Sequence, residues 1–115
     1  TDFAASNSDA VKGFLKALAK GFAEAVADPE AGVAAVMSRN EVLKKEIEIE
    51  RLQMANSLNI KTPYVVENGF GGIDPAKLAK SIEFLTVSMK LKGNVKAEGG
   101  FDASFLPPKE ERMLP

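Results

Sequence analysis

The stretch Asn68–Leu91, NGFGGIDPAKLAKSIEFLTVSMKL, places a loop, a helix start and a complete apolar stripe in direct succession. No other part of the chain fixes so much of the fold. Asn68, Gly69, Gly71 and Gly72 leave the backbone free to take positive φ. Asp74 then offers a carboxylate oxygen to the open N–H groups of a helix whose first residue is Pro75, where a missing N–H costs nothing and φ is already helical. Ile73 and Leu78 bracket the cap as a hydrophobic staple, and Leu78, Ile82, Leu85 and Met89 continue at helical spacing. One face of this helix is therefore expected to be buried. Phe84 and Leu91 lie off that line and widen the apolar sector, which predicts a helix packed between two neighbours. On this reading Ile82→Ala, which leaves a cavity, costs more than Asp74→Ala, which removes only a cap.

The chain before this stretch reads as three further helices. Asn7 can cap the first, with Asp9 in its first turn, and Val11, Phe14, Leu15, Leu18, Phe22, Ala25 and Val26 form an apolar face opposite Lys12, Lys16, Lys20 and Glu24. Gly13 and Gly21 interrupt that helix at a cost of about 1 kcal/mol each relative to Ala, so a neighbouring element is expected to approach closely there. Asp28-Pro29-Glu30 repeats the cap and proline, ending the first helix and opening a short second one that uses Val33, Val36 and Met37. Asn40 can cap a third, with Leu43, Ile47, Met54, Ala55 and Leu58 on its main apolar side. Val42, Ile49 and Leu52 fall off that stripe among charges, which points either to burial on two sides or, the reading preferred here, to a surface for a partner. Thr62-Pro63 disfavours continued helix, and Tyr64-Val65-Val66 is β-prone but has no partner strand, so it reads as extended loop. Beyond the Asp74 helix, Lys92-Gly93-Asn94 and Gly99-Gly100 flank a polar linker, and an irregular tail is anchored by Phe101, Phe105 and Leu106.

The fold predicted is mainly α: one unit, residues 1–115, with helices over 8–27, 29–38, 41–57 and 75–91 and an irregular C-terminal tail. With 115 residues, 45% of them hydrophobic and 27% charged, the chain is too apolar to remain disordered. It lacks an apolar run of the roughly 20 residues that span a bilayer. Its first residues have neither the basic nor the apolar region of a signal peptide. The start at Thr1 rather than Met points to a processed product or a piece of something longer.

The chemistry is narrowed by what is missing. Without His, Cys or Trp, the commonest general base, the thiol nucleophile and the commonest metal ligand are absent together, so neither an enzyme nor a metal or cofactor site is expected. A net charge of −1 with no basic run beyond Lys44-Lys45 argues against nucleic acid as a partner. Glu46, Glu48 and Glu50 spread around a helix axis and read as a solvated face. The glycines before Asp74 could receive an anion through backbone N–H groups, but the spacing fits neither nucleotide motif and Asp74 competes for the same donors. Phe14 with Phe22, and Phe101 with Phe105, read as packing rather than as a stacking surface for a ligand.

Taken together, AVKGFLKALAKGFAEAVADPEAGV, TPYVVENGFGGIDPAKLAKSIEFL and FDASFLPPKEERMLP resemble the C-terminal third of the periplasmic substrate-binding proteins of ABC importers. The resemblance is to the members that serve thiamine-pyrimidine precursors, sulfonates, taurine and nitrate. It spans nearly the whole chain. It implies a bilobed α/β protein more than twice this length, periplasmic or lipid-anchored at the outer face of the membrane. Such a protein closes on a small solute and passes it to a permease. In that family Val11–Val26 corresponds to a long helix after the second crossover, Asp74-Pro75 to the start of a late helix, and Phe105-Leu106-Pro107 to the closing tail. The ligand contacts belong to the other lobes, so the resemblance assigns no binding residue to this chain. An enzymatic branch of the family depends on histidine, which this chain lacks. Without the missing sheet, the uncovered apolar faces are expected to be hidden either by repacking of the helices or by self-association through the Val42, Ile49 and Leu52 side.

Overall fold

Three times along the chain a side-chain oxygen and a following proline start a helix together. Asp28 accepts from the N–H of Ala31 ahead of Pro29, Thr62 from that of Val65 ahead of Pro63, and Asp74 from those of Ala76 and Lys77 ahead of Pro75. In each case at least one open N–H is capped, two of them by Asp74, and another is absent because proline has none. The structure, a computed structural model, describes residues 2–93, 96–97 and 100–115. Among them are six α-helices and no strand: α1 Asp2–Ser6, α2 Ser8–Ala27, α3 Pro29–Met37, α4 Lys45–Ala55, α5 Pro63–Asn68 and α6 Pro75–Ser88. The chain is mainly α, as its periodicity predicts. Most of the linker expected from Lys92 to Gly100 (Asn94, Val95, Glu98 and Gly99) lies outside the described residues.

The firmest packing is at the corner where α2, α3 and α4 meet, and its centre is Ala19 and Val33, both buried. Gly32 matters here because a Cβ at that position would sit 3.4 Å from both Ala25 Cβ and Leu52 Cδ2, so its bareness lets α3 nest between α2 and α4. Pro29 leaves a specific vacancy in the helical ladder. The carbonyl of Ala25 would ordinarily receive the N–H four residues on, which proline lacks. Asn56 fills the position from the far end of α4, its Nδ2 donating to Ala25 O at 3.4 Å from an almost fully buried site. Just there the chain tightens no further into α-helix but widens into a π-helical turn, Asn56–Ile60.

Several expectations are corrected. The third helix starts at Lys45, not at residue 41: Asn40 Oδ1 accepts from the N–H of Val42 and closes a local turn instead of capping a helix. Returning α4 against α3 needs more connecting residues than Ser38–Asn40 supplies. Around α4 both sides are partly covered. Leu43 and Ala55 of the expected side stay half-buried, and so do Ile49 and Leu52, with Leu52 against α3, whereas Ile47 and Met54, and Leu58 in the π-helical turn beyond, face solvent. Of the three off-stripe residues only Val42 is bare, at 89% exposure. Tyr64–Val66 is helical because the Thr62-Pro63 cap outweighs a weak β preference. A short helix, α1, precedes α2. Asn7 does not cap α2 but turns its Nδ2 back to Phe3 O.

Helix α6 stops at Ser88, three residues early, in a Schellman closure. Lys90 takes φ 51°, Leu91 N–H donates to Thr86 O at 3.1 Å, and Lys90 N–H donates to Val87 O at 3.4 Å. No residue of α6 is buried, contrary to the expected core role. The expected close approach at Gly13 and Gly21 is also missing, since nothing lies within 4 Å of where a Cβ would stand. Phe14, expected to pack, is 66% exposed. The radius of gyration, 17.2 Å, exceeds the about 13 Å of a compact domain of this length.

Candidate functional site

The glycine-rich turn Gly69–Gly72 is the one place where sequence allowed an anion to be bound, and the structure shows where its polar groups go. Gly69 closes α5 at φ 81°, its N–H donating to Val65 O at 2.7 Å, and Gly71 follows at φ 86°. The N–H of Phe70 donates to Arg112 O at 2.7 Å. Arg112 reciprocates through Nη1 to Phe70 O at 3.0 Å, while its Nε donates to Pro107 O at 3.1 Å. A Cβ on Gly69 would meet Arg112 Cγ and Nη1 at 3.2 Å, and one on Gly71 would meet Leu106 Cδ2 at 3.3 Å. The glycines thus admit the C-terminal tail. Phe70 completes the clasp by packing on Phe22 of α2, ring centroids 4.3 Å apart.

Beside this clasp an open hollow of about 280 Å³ lies between α5 and the start of α6, with Thr62, Tyr64, Val65, Asp74, Lys77 and Leu78 on its walls. Two of its polar groups are already committed. Tyr64 Oη donates to Ile73 O at 2.8 Å, and Asp74 Oδ1 accepts from the N–H groups of Ala76 at 2.9 Å and Lys77 at 3.4 Å. An anion would have to displace a carboxylate that holds the helix start. The turn therefore connects and caps.

A second groove, about 320 Å³, runs between α3 and α4 over Val33, Val36, Leu43, Leu52 and Ala55, and Glu48 and Arg51 pair across its rim at 3.0 Å. Of the three alternating acids only Glu48 enters this groove; Glu46 and Glu50 face solvent, so the carboxylates do not converge. Among the described residues no three metal-ligating side chains gather. Among the described residues no helix is long and apolar enough to cross a membrane. In the tail, Asp102 has its carboxyl held below the usual value by the Ser104 hydroxyl and by the Ser104 N–H, which donates at 2.9 Å, a cap for the 3₁₀ turn Ala103–Phe105.

What the surface does offer is uncovered apolar helix. On α2, Phe14 and Leu18 face outward with Gly21 beside them. On α4 the outward row is Ile47, Met54 and Leu58. On α6 it includes Phe84 at 71% and Val87 at 74% exposure, with Leu85 and Met89 around the side. Apart from Val87, sequence reasoning found these apolar residues but assigned them to a core, because helical spacing reports an apolar face and not what covers it. Arg112 was missed altogether, since an arginine in a proline-flanked tail carries no spacing signal. Comparison with protein-family models, with curated proteins and with solved structures finds no match for this chain.

Proposed function

We propose that the chain is the C-terminal scaffold segment of the solute-binding component of an ABC importer, a non-enzymatic receptor that captures a small solute and presents it to a membrane permease. The observation carrying this reading is the set of bare apolar faces on α2 and α6, together with the resemblance of the three quoted segments to that family. Helices of this kind lie on a sheet, and the sheet is what this chain lacks among its described residues. Gly21, with Phe14 and Leu18 beside it and no neighbour within 4 Å, is the seat for such an element. In this role the segment stiffens one lobe, while the solute is held by residues outside it. Location in the periplasm, or by a lipid anchor at the outer face of the membrane, follows from the resemblance, as does the class of solute: a sulfonate, taurine, nitrate or a thiamine-pyrimidine precursor.

A second reading, a free-standing helical interaction module, is favoured by the outward row Ile47, Met54 and Leu58 on α4. The coding sequence upstream of Thr1 separates the two. A reading frame continuous with Thr1 that opens with a signal peptide supports the receptor; an initiation codon at this point supports the module. Calorimetric titration of the 115-residue chain with the named solutes gives millimolar affinity or none on the receptor reading, because a pocket buries about 70 to 90% of its ligand and a part of one lobe cannot. Micromolar binding by a strict monomer contradicts it.

A further inference from the structure

The outward rows of α6 and of α4 with its π-helical extension match each other in charge and, over their first three positions, in spacing. On α6 the exposed residues Lys77, Lys80, Phe84 and Val87 follow one another along one side of the helix. On α4 the corresponding row is Ile47, Glu50, Met54 and Leu58, with Glu46 next to it. Glu46, Glu50, Lys77 and Lys80 are all exposed, and among the described residues none lies within ion-pair distance of an opposite charge, whereas Glu48 and Lys45 are already paired. Laid side by side in the same direction, Lys80 falls opposite Glu50 and Phe84 opposite Met54. That pairs charge with charge, and a thioether with an aromatic ring.

We infer that α6 of one copy docks on the outer face of α4 of a second copy, and the reverse, in a reciprocal two-fold dimer. Within one chain the two helices do not pack on each other to any extent. The area is sufficient. The chain exposes 8624 Å², where a compact monomer of this length exposes about 6,100 Å². The excess, about 2,500 Å², is roughly three times the 800 Å² per partner of a standard interface. A two-fold arrangement uses each row once, closes on itself and leaves no open end for fibre growth. The Lys-to-Glu matches set register, and the Phe84, Val87, Met54 and Leu58 side chains supply the area. Both readings give α6 a cover, a sheet in the full receptor and a second copy for the 115-residue chain, and they are tested apart: the upstream reading frame decides the receptor, and the association state of the chain decides the dimer.

Sedimentation of the 115-residue chain tests it. The intact chain is expected to dimerise at tens of micromolar, and the dimer to weaken as salt rises. Phe84→Asp should leave the helical circular dichroism unchanged and the chain monomeric. Lys77→Glu with Lys80→Glu (first chain), or Glu46→Lys with Glu50→Lys (second chain), should each weaken the homodimer by about tenfold or more at low salt. Mixing the first chain with the second should restore a dimer of intact-chain strength, because every facing pair is then again of opposite sign. An intact chain that stays monomeric at these concentrations overturns the inference. So does a dimer indifferent to both charge reversals, or one that mixing fails to rescue.

Discussion

The corner formed by α2, α3 and α4 and the helix α6 differ in opposite senses in local coding and in packing. Helix α6 carries the fullest set of local instructions: a two-bond Asp74 cap, proline at its first position, an apolar row and a Schellman closure. Yet none of its residues is buried. The corner has plainer local signals, a single Asp28 cap and a bare Gly32, yet it buries Ala19, Val33 and Asn56. Local signals determine that a segment is helical, and burial is determined by what else is present to pack against it. A helix written so completely and covered so little is written for a surface elsewhere.

The comparison can be broken first at the clasp that ties the tail to α5 and α2. Arg112→Ala removes two hydrogen bonds from a cationic donor to the carbonyls of Phe70 and Pro107, and should destabilise the chain by about 2 to 3 kcal/mol in urea denaturation. Within the corner, Asn56→Ala leaves the Ala25 carbonyl without a donor and should cost about 1 to 2 kcal/mol. A negligible effect would mean that the proline break is satisfied in some other way. In α6 the order expected from sequence is revised. Ile82 is only half-buried, so Ile82→Ala should cost no more than about 1 kcal/mol, on a par with the about 1 kcal/mol of Asp74→Ala. The smallest effect has the opposite sign: Lys90→Gly relieves a left-handed lysine at φ 51° and should stabilise by about 0.5 to 1 kcal/mol.

Helix starts at Pro29 and Pro75 are legible because capping acts within four residues, and α2 ends at Ala27 because Pro29 breaks its ladder. Failures begin where a distant residue decides. The Lys45 start depends on turning α4 back onto α3, and the cover over its second side depends on Leu52 finding Gly32. Tyr64–Val66 misled in another way, for the three β-prone residues concealed a third cap-and-proline start at Thr62-Pro63. The bonding of the Gly69–Gly72 turn is half legible: Asp74 is adjacent in sequence, but Arg112 arrives from the far end of the chain.

Hydrogen exchange on the intact chain, dilute enough to be monomeric, tests most directly whether α6 is complete in itself or made to be covered. Amides of α2 and α3 around Ala19 and Val33 are predicted to exchange slowest, and those of α6 faster by at least an order of magnitude. Raising the concentration should slow α6 selectively. If α6 in the dilute chain is protected as strongly as the corner, its faces are already satisfied and the account is wrong.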